Sequence, residues 1–215
     1  MPQVSLLAIF AHPDDAELLT GGTLAAAAAQ GHTVGILDLT RGELWARGTP
    51  EIRAREAAEA AAVLGVASRV NAGLPDGHLD ATSDAMRKVI VRLLRDFRPQ
   101  VVLTHATVGR HPDHRNASLL VRDACFLSGL RNYGEGAAHR PARLCHAQSY
   151  REYHHKPTFV VNTADHFETK LSALRCFRSQ WDDETLEAGE VQRNGMPFFN
   201  LVRIQDAHAG SIVVC

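Results

Sequence analysis

The 215-residue chain reads as an α/β fold: a mostly parallel sheet with helices on both faces, three layers in the order αβα. Three observations predict it. Strand and helix signals alternate from the first residues onward. The early strands are continuous apolar runs, which is what strands buried on both faces require. The segments between them carry helix start and stop residues at the right places.

In chain order, Leu6–Phe10 is an unbroken apolar run and makes the first strand. Glu17–Gln30 is the first helix, rich in alanine and stopped by Gly31. Val34–Leu39 is a second strand. Glu51–Leu64 is built of helix formers, with Pro50 at its start and Gly65 at its end. Arg69–Gly73 is a short third strand. Ser83–Phe97 places Met86, Ile90, Leu93, Leu94 and Phe97 on one stripe, with Pro99 just beyond. Val101–Thr104 is a fourth strand and Asp113–Leu127 a fourth helix. Leu144–Tyr150 and Thr158–Asn162 read as later strands, and Asp165–Gln180 as a later helix. Arg131–Pro141, rich in Gly, Ala and polar residues, reads as a mobile loop. The final Ser211–Cys215 reads as a strand, and a natural chain continuing past it is expected. With no internal repeat and no linker, residues 1–215 are expected to form a single Rossmann-like domain.

Bulk properties exclude several classes of partner. Lys and Arg number 23 against 24 Asp and Glu, scattered rather than striped, so nucleic acid is not expected. No apolar run reaches the ~18 residues of a membrane helix, and no secretory leader is visible. Cys125, Cys145, Cys176 and Cys215 are far apart and form no CxxC pair, so a reduced cytoplasmic setting is expected.

Two polar clusters stand where ligands bind in open parallel sheets, beyond the carboxyl ends of strands. His12-Pro13-Asp14-Asp15 follows the first strand, and His111-Pro112-Asp113-His114 comes shortly after the fourth. If those strands are neighbours, the clusters face each other. Two imidazoles and a carboxylate suit a catalytic zinc site with an open water position, and His12, Asp15 and His114 can supply them. Asp14 is then free to act as a base on a metal-activated water, whose pKa falls toward ~7. His111, as an imidazolium, can stabilise an oxyanion or protonate a leaving amine. The plainer alternative is that Asp14 or Asp15 is a helix N-cap.

Other positions carry two readings each. Arg41, Gly42 and Glu43 sit at the carboxyl end of the second strand, where they either line a pocket or form a polar turn. Asp113 either orients an imidazole or caps its helix. Arg55 and Glu56 are read as structural, on a solvated helix face. Gly21-Gly22 is read as close helix–sheet packing rather than a nucleotide loop, because no GxGxxG follows the strand.

The pairing of "AHPDDAE" with "HPDH" resembles the LmbE-like, or PIG-L-type, zinc-dependent N-deacetylases. Leu37–Val66, "NAGLPDGHL", "RPARLCHAQSYREY" and "FETKLSALRCFRSQW" extend that resemblance over nearly the whole chain. "RGTPEIR" and "LPDG" are similar to its bacillithiol branch, which deacetylates N-acetylglucosaminyl malate. The resemblance implies Zn²⁺ as cofactor, His12, Asp15 and His114 as its ligands, Asp14 as general base and His111 on the oxyanion side. It also implies that Arg53 contacts substrate, beside Arg41 and Glu43 as candidates from their position alone, and it favours a homo-oligomer, with a hexamer among the options. Sister activities on a mycothiol-type conjugate or a chitooligosaccharide remain open, as does a non-catalytic binding module on the same fold. Trp45 departs from the smaller residue expected there and is a candidate pocket wall.

Overall fold

The structure, a computed structural model, describes residues 1–45, 47–149, 157–181 and 197–212. Five strands form one parallel sheet: β1 (Leu6–Phe10), β2 (Val34–Thr40), β3 (Ser68–Leu74), β4 (Val101–His105) and β5 (Arg143–Ala147). Their spatial order is β3-β2-β1-β4-β5. The order reverses between β1 and β4, which lie side by side with Leu6 opposite Val101. That junction is where an α/β sheet opens a crevice for ligands, and both histidine clusters follow its strands.

Helices cover both faces. The helices α1 (Asp15–Ala29), α2 (Pro50–Leu64) and α5 (Phe167–Arg175) lie on one, and α3 (Asp84–Phe97) and α4 (Pro112–Leu127) on the other. The two-residue period of β1 divides its side chains accordingly. Leu7 and Ile9 pack toward α3 and α4 with Ile90, Leu94 and Leu120. Ala8 and Phe10 pack toward α1 and α5 with Leu24 and Ala173, and with Phe177 just beyond α5. Phe10, fully buried, contributes roughly 1.5–3 kcal/mol by removal of its ring from water. The helix signals act as expected: the Thr49 side chain accepts from Ile52 N ahead of Pro50, and Gly65 ends α2 in the left-handed region at φ 71°.

The second half departs from the sequence reading. Thr158–Asn162 is not a strand, and among the described residues β5 is the last strand of the sheet. The helix expected over Asp165–Gln180 breaks into a 3₁₀ turn (Ala164–His166), α5 and the short α6 (Arg178–Trp181). Ser211 ends a helix, α7 (Phe198–Ser211), instead of opening a strand; residues 213–215, Tyr150 and His154-His155 lie outside the described residues. Only Phe198 and Val202 of α7 are buried, so its pattern is too sparse to announce a helix. Arg131–Pro141 is tied down: the Arg95 guanidinium donates to the carbonyls of Ser128, Leu130, Glu135 and Gly136. Glu56 is buried, accepting from the backbone N–H and hydroxyl of Ser179 at 2.7 and 2.6 Å. Gly21 and Gly22 serve helix packing, not sheet packing: Cβ atoms there would meet Lys170 of α5 and Thr163 beside it.

Candidate active site

The polypeptide turns from β1 into α1 through Asp14, whose φ of 108° is strained for a residue with a side chain. Asp14 occupies the N-cap position of α1, but its side chain makes no capping hydrogen bond and is left for another role. Such strain persists only where surrounding contacts impose it, and here Arg53 does so. Its guanidinium donates to the carbonyl of Pro13 and to that of Gly42, and stands 3.4 Å from the Asp14 carboxylate. Gly42 is needed for that approach, because a Cβ there would collide with the guanidinium.

The two clusters meet. His12 Nδ1 lies 3.2 Å from Asp15 Oδ2, His114 Nε2 lies 3.3 Å from His12 Nδ1, and His114 Nε2 lies 3.3 Å from Asp15 Oδ1. Donor atoms bound tetrahedrally to zinc at about 2.0–2.2 Å stand roughly 3.3–3.5 Å apart, which is the spacing of the two imidazole nitrogens and of each from one oxygen of the Asp15 carboxylate. Other donor groupings within 4.8 Å also occur: His12/His111/His114, Asp15/His105/His114 and His12/Asp76/Asp113. Several of their members already hold backbone N–H groups, as Asp15 Oδ2 does with that of His12 at 2.9 Å. His105 Nε2 already accepts the Ala11 N–H at 3.0 Å, and His111 Nδ1 accepts that of Asp113 at 3.2 Å. Asp113 accepts the N–H groups of Gly77 and Leu79, and Asp76 that of Leu44.

The remaining imidazoles pack around the three clustered residues. His114 is sandwiched between His105 (centroids 4.0 Å apart, 12° between planes) and His111 (4.5 Å, 21°). His12 Nε2 points away from the triangle, at 3.0 Å from Asp76 Oδ1 and 3.5 Å from Asp113 Oδ2. Carboxylates behind a ligating imidazole fix its tautomer and raise its basicity. Asp113 is therefore placed to orient His12 while it steadies the Gly77–Leu79 turn; its helix is capped instead by His111.

Electrostatics follow from burial and these partners. Burial alone would favour neutral His12, but Asp113, Asp15 and Asp76 reverse that and raise its pKa well above the usual value. Such surroundings attract positive charge, whether a proton or a cation. Burial pushes the Asp14 carboxyl up to about 7, opposed by Arg53 and reinforced by Asp15. Asp15 is held well below the usual carboxylate range: burial pulls upward, but His114 and His105 outweigh it. Burial lowers His111, with His114 and His12 adding to the shift. A neutral His111 whose Nδ1 accepts from Asp113 carries its proton on Nε2. In that tautomer Nε2 is a hydrogen-bond donor.

Asp14, His111 and the three clustered residues line a cavity of about 570 Å³, together with Arg53, Asp76, His105 and Trp45. Arg41 and Glu43 do not line it. Glu43 Oε1 instead accepts the Asp76 N–H at 2.9 Å, and Oε2 that of Arg41 at 3.2 Å. The sequence reading missed His105 and Asp76. His105 was legible as the last residue of a buried strand, at its carboxyl end; Asp76, in "LPDG", looked like turn chemistry. The cavity's other wall carries Trp181, stacked on Phe198 at 3.9 Å, and this pair had no sequence signal.

Residues 7–125 match the family model described as PIG-L, GlcNAc-PI de-N-acetylase. The chain is 31% identical to a diacetylchitobiose deacetylase of Thermococcus kodakarensis, across 86% of this chain and 73% of that protein. It is also 31% identical to 1D-myo-inositol 2-acetamido-2-deoxy-alpha-D-glucopyranoside deacetylase 1 of Saccharopolyspora erythraea, across 89% of this chain and 84% of that protein. Among solved structures it is similar to the conserved protein TT1542 from Thermus thermophilus, with a TM-score of 0.83 and 38% identity over 96% of this chain and 86% of that one.

Proposed function

The chain belongs to the PIG-L de-N-acetylase family, and on that premise we propose that it is a metal-dependent hydrolase removing the acetyl group from an N-acetylglucosamine conjugate. The observation that carries this is the convergence of His12 Nδ1 and His114 Nε2, 3.3 Å apart, on the Asp15 carboxylate, whose Oδ2 lies 3.2 Å from the first and Oδ1 3.3 Å from the second, with Asp14 lining the same cavity. A binding module has no use for that spare carboxylate.

His12 Nδ1, an Asp15 carboxylate oxygen and His114 Nε2 would hold the ion, Zn²⁺ being the metal this donor set suits. When bound, it polarises the acetyl carbonyl and acidifies the attacking water. Asp14 takes the proton of that water on a carboxylate oxygen. Burial makes this carboxylate more basic than an exposed one, which suits it to take the proton and then pass it on to the departing amine. His111 donates its Nε2–H to the oxygen on which negative charge develops. Arg53 keeps Asp14 aligned and favours its ionised form. Trp45, Trp181 and Phe198 give the cavity an aromatic lining.

On the aglycone, the relatives' names favour an inositol or a second amino sugar. N-acetylglucosaminyl malate has the support of the "RGTPEIR" and "LPDG" motifs alone. A homo-oligomer, Arg41 and Glu43 as outer substrate contacts, and a cytoplasmic setting belong to the same reading; no described helix is long and apolar enough to cross a membrane. Acetate release is to be measured from N-acetylglucosaminyl inositol, diacetylchitobiose, N-acetylglucosaminyl malate and free N-acetylglucosamine, with and without chelator. Chelator-sensitive release from at least one conjugate is expected. Absence of release from all four in a zinc-loaded protein would refute the proposal.

A further inference from the structure

One carboxylate joins the candidate metal ligand His12 to the rim of the cavity. Asp76 Oδ1 stands 3.0 Å from His12 Nε2, and with Nδ1 facing the metal triangle it is Nε2 that carries the proton and donates. The other oxygen, Oδ2, accepts the backbone N–H of Leu44 at 2.9 Å. In return the Asp76 N–H donates to Glu43 Oε1 at 2.9 Å. Two loops from neighbouring strands, Gly42–Trp45 after β2 and Pro75–Gly77 after β3, are thus clasped reciprocally, and Leu44, Trp45, Asp76 and Gly77 all line the cavity. The Leu44 side chain lies over Gly77, where a Cβ would meet Leu44 Cδ1. Asp113, the other carboxylate behind His12, is farther away at 3.5 Å and is already engaged by two backbone N–H groups.

We propose that Asp76 is a positioning residue that orients His12 for the metal and couples metal affinity to the Gly42–Trp45 rim of the substrate cavity. This rests on the metal reading of the site given above. A correctly seated rim holds Asp76 where His12 needs its acceptor, and a seated His12 holds the rim, because both use the same carboxylate. Partners behind a ligating imidazole typically govern 10–100-fold in metal affinity.

The test is the zinc affinity of the metal-free full chain, measured against a chromophoric competing chelator, together with thermal melts of the metal-free proteins. Asp76→Asn keeps the size of the side chain and an oxygen for Leu44, but turns an amide N–H₂ toward the His12 N–H. It is expected to weaken zinc about 10–100-fold, with a metal-free Tm within about 4 °C of the parent. Glu43→Ala leaves Asp76 and every ligand in place and removes the acceptors of the Asp76 and Arg41 N–H groups, of which only the first touches the carboxylate behind His12. Zinc is expected to bind it several-fold more weakly than the parent. Unchanged affinity in Asp76→Asn overturns the positioning role. Unchanged affinity in a folded Glu43→Ala overturns the coupling to the rim, and that variant decides the matter if Asp76→Asn does not fold. A parent protein that binds no zinc would sink the reading of the site itself, a separate outcome.

Discussion

Replacing Arg53 by Gln tests whether this guanidinium governs the ionisation of Asp14. The two groups are 3.4 Å apart and both are buried. At an effective dielectric of about 20, unit charges at that separation attract by about 5 kcal/mol. Relaxation and the other charges of the site reduce what a titration shows, and an Arg beside an Asp typically accounts for 1–3 pKa units. Burial raises Asp14 and Arg53 lowers it, so removing Arg53 moves its pKa upward. The base must be unprotonated to accept the water's proton, so activity rises with pH through this pKa. The acid limb of kcat/KM against pH is therefore expected to shift up by about 1–2 units in Arg53→Gln. That corresponds to a roughly 10–100-fold loss at the parent's limb, recovered at higher pH. A bound cation lowers the absolute position of both limbs, and the displacement between parent and variant is the quantity to compare. An unshifted limb accompanied only by a higher KM would refute the reasoning and leave Arg53 as a simple substrate contact.

Asp14→Asn keeps all three clustered ligands, so one zinc per chain by elemental analysis is expected, with kcat down by about 10²–10⁴; loss of the metal would mean that base and ligand have been interchanged. His111→Ala should also keep zinc and lose about 10²–10³ in kcat, and near-full activity would remove His111 from the chemistry. Gly22→Ala drives a Cβ to 2.7 Å from Thr163 Cβ between α1 and the segment before α5. An overpacking cost of about 1–3 kcal/mol is expected, visible as a Tm several degrees lower, and an unchanged Tm would show that this contact yields freely.

The first half of the fold was legible because each of its elements carries its own signal. Leu6–Phe10 needs no context to be a buried strand, and Pro50 and Gly65 mark the ends of α2. The site was legible for a topological reason: two polar turns follow strands that prove to be neighbours. What the sequence hides depends on contacts between distant segments. α7 buries only two side chains and is docked by the Lys170–Asp206 ion pair and the Trp181–Phe198 stack, neither of which leaves a local pattern. Glu56 on a helix face reads as solvated until Ser179 arrives 123 residues later to cover it. Asp76 could not be distinguished from an ordinary turn aspartate without knowing that His12 lies 3.0 Å away. The protonation state of His111 likewise depends on burial and on the charges placed around it.

The most direct measurement is anomalous X-ray scattering at the zinc edge from crystals of the zinc-loaded protein. One peak is expected per chain, bonded at about 2.0–2.2 Å to His12 Nδ1, an Asp15 carboxylate oxygen and His114 Nε2, with Asp14 beside it and unbonded. A peak bound instead through His105, His111 or Asp14, or no peak in this crevice, would contradict the arrangement from which the proposed activity is derived.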